Sequence, residues 1–150
     1  MKSYRQDAED AKEERGIAME MGMEPDSELD ELAHALIGAA IEVHRTFGPG
    51  LTENLYENAL CVELRLRGIP FAKQAPVTVS YKGEIVGEFH VDLIVGGRLV
   101  VELKAVERFA PIHQAIAITY MKITKCQVAL LLNFNVPVLK EGIKRVVLSS

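Results

Sequence analysis

Hydrophobic and polar positions follow a helical period in the first folded part of the chain. Apolar residues recur at intervals of three and four between residues 28 and 46, which predicts an amphipathic helix there. Ser27 and Asp30 resemble a capping box at its start. A second helix is predicted from Thr52, a typical N-cap residue, to a C-terminus just before Gly68.

The pattern changes to strands after the second helix. Apolar and polar residues alternate over residues 77–81, and Lys82-Gly83 then predicts a turn. Nearly continuous apolar runs, typical of strands buried on both faces, follow further along the chain. The remaining elements are predicted at residues 85–87 and 89–95 (one strand), 99–106 (strand), 111–124 (helix, with Pro111 at its first position), 127–134 (buried strand) and 142–148 (short final element). The predicted order is therefore α-α-β-β-β-α-β-β.

Two of the apolar strands contain charged residues at positions where a core strand should have none. Asp92 interrupts the run FHVDLIV, and Glu102 and Lys104 interrupt LVVELKAV. A buried charge without a partner costs several kcal/mol in practice, so charges in such strands are normally paired or bound to a cation. A divalent metal between Asp92 and Glu102, with Lys104 beside it, satisfies all three groups.

This hypothesis depends on the length of the loop between the two strands. A two-residue loop would place Asp92 and Glu102 on opposite faces of the sheet, because side chains alternate along a strand. A three-residue loop, Gly96-Gly97-Arg98, pairs residue 95 with residue 99 and sets Asp92 opposite Glu102, roughly 5 Å apart. Since glycine adopts unusual turn conformations at low cost, we predict the three-residue loop or an equivalent bulge.

Two readings of these charges remain open from spacing alone. Oxygen ligands on a rigid sheet suit Mg²⁺ or Mn²⁺, and such an ion beside a lysine supplies the parts for metal-assisted hydrolysis of a phosphodiester. Alternatively, Asp92 and Lys104 form a buried ion pair and Glu102 reaches solvent. The pattern E-x-K in a strand does not decide between them.

Composition and charge limit the class of protein. The chain has 150 residues, 49% of them hydrophobic, which predicts one folded domain. Residues 1–31 contain 4 basic and 11 acidic side chains of the 17 and 21 in the chain, so the remainder has a net charge of +3, which permits a phosphate-bearing partner. We predict an acidic flexible tail over residues 1–26 and one domain over residues 27–150.

Cysteines without CxxC spacing, and the lack of a signal-peptide or membrane-span pattern, predict a cytoplasmic protein.

Two sequence motifs give the chain a family resemblance. GLTENLY, residues 50–56, matches GxxExxY, and Asp92, nine further residues and Glu102-Leu103-Lys104 match D-x(n)-E-x-K. With ALIGAAIEVHRTFGPGL, VVELKAV and LLLNFNVPVLKEGIKR, the chain resembles the GxxExxY proteins of the PD-(D/E)XK nuclease superfamily over about residues 29–147. The resemblance implies an α/β fold with a restriction-endonuclease-like core, α-β-β-β-α-β, in which helices flank a mixed central sheet.

The resemblance also implies a role for each matching residue. Asp92, Glu102 and the carbonyl of Leu103 would be the metal ligands, and Lys104 would be the catalytic lysine. Glu53 would match the acidic residue that many superfamily members contribute from an early helix. Asp92, Glu102, Lys104 and Glu53 would thus form the catalytic set of an Mg²⁺- or Mn²⁺-dependent nuclease.

One position departs from the pattern of related proteins. Many carry Q-x-x-x-Y on the helix after the E-x-K strand, whereas this chain has Ile116 four residues before Tyr120. The alternative to a nuclease is therefore a non-catalytic module that keeps the fold and binds nucleic acid or protein. For the nuclease we expect a nucleic-acid partner, DNA or RNA, bound without sequence specificity; a homodimer is compatible with a domain of this size, and no membrane contact is expected.

Overall fold

The computed structural model describes residues 26–148, so the predicted acidic tail lies, apart from its last residue, outside the described residues. The order of elements agrees with the prediction. The helices are α1 (Ser27–Phe47), α2 (Glu53–Leu66) and α3 (Pro111–Thr124), with a short 3₁₀ helix at Leu139–Gly142. The strands are β1 (Phe71–Tyr81), β2 (Glu84–Val95), β3 (Leu99–Lys104), β4 (Val128–Asn133) and β5 (Ile143–Val147).

The five strands form one mixed sheet in the order β1-β2-β3-β4-β5. Neighbouring strands are antiparallel except β3 and β4, which are parallel because α3 crosses between them. One core cluster joins α1 and α2 to a face of the sheet, and a second joins α3 to the opposite face. Helices on both sides explain why β3 and β4 are almost wholly apolar. The predicted α/β class, with a mixed sheet flanked by helices, is confirmed.

Three local predictions need correction. The N-cap of α1 is Asp26, whose carboxylate accepts a hydrogen bond from the Leu29 amide at 3.0 Å, so the predicted capping box at Ser27 is wrong. Strand β1 begins at Phe71, because its first half pairs with β2 although FAKQAP lacks an alternating pattern. Strand β3 ends at Lys104, two residues before the predicted end.

The β1–β2 hairpin changes the face that it buries near Gln74. Phe71 and Leu93 belong to the cluster beneath α1 and α2, whereas Ala75 and Val91 belong to the cluster beneath α3. Gln74 has a φ of 48°, in the left-handed region that residues other than glycine rarely adopt. The change of face therefore coincides with an unusual backbone conformation beside Asp92.

Gly142 lies where the 3₁₀ helix meets the end of β4, and a Cβ atom there would stand 2.1 Å from the Asn133 carbonyl oxygen. We expect Gly142→Ala to lower the free energy of unfolding by about 2–3 kcal/mol, because backbone must move to relieve the overlap. Gly87→Ala is the matched control, since nothing lies within 4 Å of a Cβ at that position. Urea denaturation with equal midpoints for the two variants would contradict this expectation.

Candidate active site

The loop between β2 and β3 has the predicted length. Val95 pairs with Leu99, and the ladder continues to the pair Leu93 and Val101. Asp92 and Glu102 are therefore the next residues along the two strands, in the register that the three-residue loop predicts. From Asp92 and Glu102 onward the strands have no backbone pairing, and hydrogen bonds between backbone amides and side-chain carboxylates join them instead.

The carboxylates of Asp92 and Glu102 each accept a hydrogen bond from a backbone amide of the opposite strand. The Leu103 amide donates to Asp92 Oδ2 at 2.9 Å, and the Asp92 amide donates to Glu102 Oε1 at 3.3 Å. The two carboxylates are thus held side by side across the opening between β2 and β3. The alternative in which Asp92 pairs with Lys104 while Glu102 reaches solvent is wrong, because Glu102 is only 7% exposed.

Among the described residues, the charge of Glu102 is compensated only in part. Burial, and then the nearby charge of Asp92, raise the pKa of Glu102 to about 8, and the charge of Lys104 lowers it only in part. None of the ion pairs within residues 26–148 includes Asp92 or Glu102. Two neighbouring carboxylates in a poorly solvated position are unfavourable unless a cation lies between them.

Lys104 and Glu53 border this pair. Lys104 follows Glu102 by two residues on β3, so it points to the same side of the sheet, and it is half-buried. Within residues 26–148 its ammonium forms no hydrogen bond or ion pair with another side chain. Glu53 begins α2 and accepts a hydrogen bond from the Ala105 amide at 3.2 Å, just beyond β3. The first turn of α2 is thereby attached to the end of the strand that carries Lys104.

A shallow pocket opens on the side of this pair that faces α2. The residues that line it are Glu53, Asn54, Glu57, Gln74, Asp92 and Leu103. Glu53, Asp92 and Leu103 were predicted site residues, whereas Glu57 and Gln74 were missed. Burial and the charge of Asp92 raise the pKa of Glu57, and a hydrogen bond from Gln74 opposes that rise. The spacing of four between Glu53 and Glu57 was a usable signal, because it puts both on one face of a helix.

The helix after β3 contributes an aromatic residue from the other side. Tyr120 stacks on Phe89 with ring centroids 4.3 Å apart, and burial followed by the charges of Glu102 and Asp92 raises its pKa. Ile116, one turn earlier, is 38% exposed. His113 accepts a hydrogen bond from the Ala110 amide at 2.9 Å, so its contact lies within the start of its own helix.

Tyr56, which ends the GxxExxY motif, is a packing residue. Its ring is fully buried and stacks on Phe134 at 4.5 Å. Its hydroxyl donates to the Gly48 carbonyl and accepts from the Leu51 amide. Tyr56 therefore holds the loop that precedes α2, and through that loop it fixes where Glu53 begins the helix.

The donors around Asp92 and Glu102 suit a hard divalent cation. Within residues 26–148, no group of three or more His, Cys, Asp and Glu side chains is arranged as a metal cage. Mg²⁺ does not require one, because it keeps several water ligands and binds through one or two carboxylates. Two adjacent carboxylates that form no ion pair within residues 26–148, beside the Leu103 peptide, fit such an ion.

No helix in the described part of the chain is long and apolar enough to cross a membrane. A comparison with curated proteins finds no significant match, and a comparison with solved structures finds none either. A family model described as the PD-(D/E)XK nuclease superfamily matches residues 30–146, which include both motifs and every predicted site residue. The chain therefore belongs to the PD-(D/E)XK nuclease superfamily.

Proposed function

We propose that this protein is a nuclease that depends on a divalent metal, Mg²⁺ or Mn²⁺, and hydrolyses phosphodiester bonds of DNA or RNA. The observation that carries the proposal is the pair of carboxylates, Asp92 and Glu102, held across the opening between β2 and β3 with Lys104 beside them. Superfamily membership supports it, since these nucleases generally use divalent metal ions and act on nucleic acid.

Asp92, Glu102 and the carbonyl of Leu103 would hold the ion. When bound, a divalent ion offsets the negative charge of the scissile phosphate and lowers the pKa of a coordinated water. The chain's own contribution is to fix the ligands: the Leu103 amide restrains Asp92, and the Asp92 amide restrains Glu102. A ligand set fixed before binding loses less side-chain freedom when the ion arrives.

Lys104 would act on the substrate rather than on the fold. Its ammonium has no partner among the side chains of residues 26–148, so it is available to neutralise a phosphate oxygen or to orient the attacking water. Glu53, attached to the Ala105 amide, lines the pocket that also contains Asp92 and Leu103. We assign it the role of orienting water at the edge of the metal site.

Binding of nucleic acid would rely on phosphate contacts. The basic residues available outside the site include Lys82, Lys122 and Lys144, all exposed. Arg98 and Arg145 contribute less than the sequence suggests, because they pair with Asp26 and Asp30. Phosphate contacts of this kind give salt-dependent affinity and carry no sequence information, so we propose a substrate recognised without sequence specificity.

A non-catalytic module that binds nucleic acid or a protein partner is the second candidate. The observation that favours it is Ile116, an apolar and partly exposed residue at the position where related proteins often carry glutamine. Retention of Asp92, Glu102 and Lys104 argues against it, because a protein without catalysis gains stability by replacing buried charges.

The experiment that tests the proposal is a calorimetric titration of Mn²⁺ and Mg²⁺ into the wild type and into the Asp92→Ala/Glu102→Ala double variant. We expect micromolar-to-millimolar binding by the wild type and at least a hundredfold weaker binding by the double variant, which loses both carboxylates. DNA and RNA substrates are then incubated with the wild type in Mg²⁺ and in EDTA. Metal-independent cleavage, or equal metal binding by both proteins, would contradict the proposal.

A further inference from the structure

Gln74 combines an unusual backbone conformation with a position opposite Asp92. The β1–β2 ladder passes from the pair Lys73 and Leu93 to the pair Ala75 and Val91, so Gln74 and Asp92 are the two residues left between them. With a φ of 48°, Gln74 lies in the left-handed region without the advantage of glycine. Such conformations persist where surrounding contacts compensate for them, and they are often found at functional sites.

The side-chain amide of Gln74 joins two carboxylates that come from different elements. Its Nε2 donates to Glu57 Oε1 at 2.7 Å and lies 3.3 Å from Asp92 Oδ1. Both partners are acceptors when ionised, and the amide nitrogen carries one proton for each of them. The hydrogen bonds therefore determine which end of the amide faces the carboxylates.

Glu57 fixes the position of this amide. Its side chain is 7% exposed and projects from α2, which packs against the same side of the sheet. With one oxygen of Asp92 bound by Gln74 and the other by the Leu103 amide, the Asp92 carboxylate is restrained at both ends. Each Asp92 oxygen therefore uses one lone pair in these hydrogen bonds, and its remaining lone pairs point in fixed directions toward a further ligand.

We infer that Gln74 is a positioning residue that orients Asp92 for metal binding, with Glu57 as the group that anchors it. This inference rests on the proposed function, in which Asp92 is a metal ligand. An uncharged donor suits the task. A lysine at the same place would neutralise Asp92 and compete with the ion, whereas an amide restrains the carboxylate and leaves its charge for the metal.

The test compares Gln74→Met, which keeps the length of the side chain and removes the donor, with Thr78→Val, an exposed control on the same strand. The first measurement is the chemical shift of the Leu103 amide proton in metal-free protein, because that amide donates to Asp92. Asp92→Ala supplies the reference for loss of the bond. We expect Gln74→Met to move the Leu103 resonance toward this reference and Thr78→Val to leave it unchanged.

The second measurement is Mn²⁺ affinity by calorimetry. We expect Gln74→Met to weaken binding about tenfold or more, the usual effect of losing a group that orients a metal ligand. Glu57→Leu should have the same effect, and Glu57→Gln should bind within about threefold of the wild type because it keeps an acceptor for Gln74. A thermal unfolding scan of each variant separates this role from support of the fold.

The outcomes distinguish the inference from the function on which it rests. A Gln74→Met protein that is less stable but keeps the Leu103 shift and the Mn²⁺ affinity would overturn the inference and leave the nuclease proposal intact. A wild type that binds no Mn²⁺ would overturn the nuclease proposal. In that case the Leu103 shift still decides whether Gln74 orients Asp92.

Discussion

Replacement of Lys104 by methionine is expected to lower the rate of phosphodiester cleavage by about a thousandfold, or about 4 kcal/mol of transition-state stabilisation. Methionine keeps much of the length and apolar character of the lysine stem, so the half-buried position stays filled. Only the positive charge next to the carboxylate pair is lost. A group that offsets charge developing on a phosphate in a poorly solvated site contributes energies of this size.

The same variant should keep its affinity for Mn²⁺ within a factor of about three, because Lys104 is not a ligand in the proposed site. Lys122→Met is the matched control, since it removes one positive charge from an exposed position on α3. We expect that control to lose cleavage activity by less than about threefold, through weaker phosphate contacts alone. Equal losses for the two variants would show that Lys104 contributes only general charge.

Replacement of Glu102 by glutamine is expected to abolish metal binding and cleavage and yet make the metal-free protein more stable. Glu102 is buried beside the Asp92 carboxylate, it forms no ion pair within the described residues, and the charge of Lys104 offsets its charge only in part. Glutamine has nearly the same shape and removes one of the two like charges. We expect the free energy of unfolding at pH 8 to rise by roughly 1–3 kcal/mol, the usual size of such relief.

The pH dependence of this gain follows from the direction of the pKa shift. A glutamate titrates near pH 4.3 in an unfolded chain, whereas burial and Asp92 raise the pKa of Glu102 in the fold to about 8. Between these values the folded protein holds a proton that the unfolded chain has lost. The wild type therefore loses stability as the pH rises from about 4.3 toward about 8, whereas Glu102→Gln lacks this contribution.

Urea denaturation of both proteins at pH 5 and pH 8, with and without Mn²⁺, checks this expectation. In the absence of metal the variant should exceed the wild type at pH 8 and approach it at pH 5. Added Mn²⁺ should stabilise the wild type by mass action and leave the variant unchanged. A variant that is less stable than the wild type at pH 8 would mean that Glu102 already has a favourable partner in the metal-free fold.

Local sequence determined the order of the elements and the register that brings the two carboxylates together. Strand periodicity allows Asp92 and Glu102 to share a face only across a loop with an odd number of residues, and the glycines at 96 and 97 make such a loop inexpensive. The unusual charges were also predictable from sequence, because the apolar neighbours along each strand indicate that Asp92, Glu102 and Lys104 lie in buried strands. Glu53 was found only through a motif, since its place beside Ala105 depends on how α2 packs.

Only the tertiary structure shows that Gln74 contacts both Glu57 and Asp92. The stretch FAKQAP lacks the alternating pattern that predicts a strand. Gln74 departs from extended geometry there, and the residues before and after it are buried on opposite faces of the sheet, so the alternation is interrupted. Glu57 and Gln74 come together only when α2 packs beside β1, and their contact with Asp92 also requires β2. Periodicity describes one element at a time, whereas this hydrogen-bonded group draws one residue from each of three elements, so only the packed fold defines it.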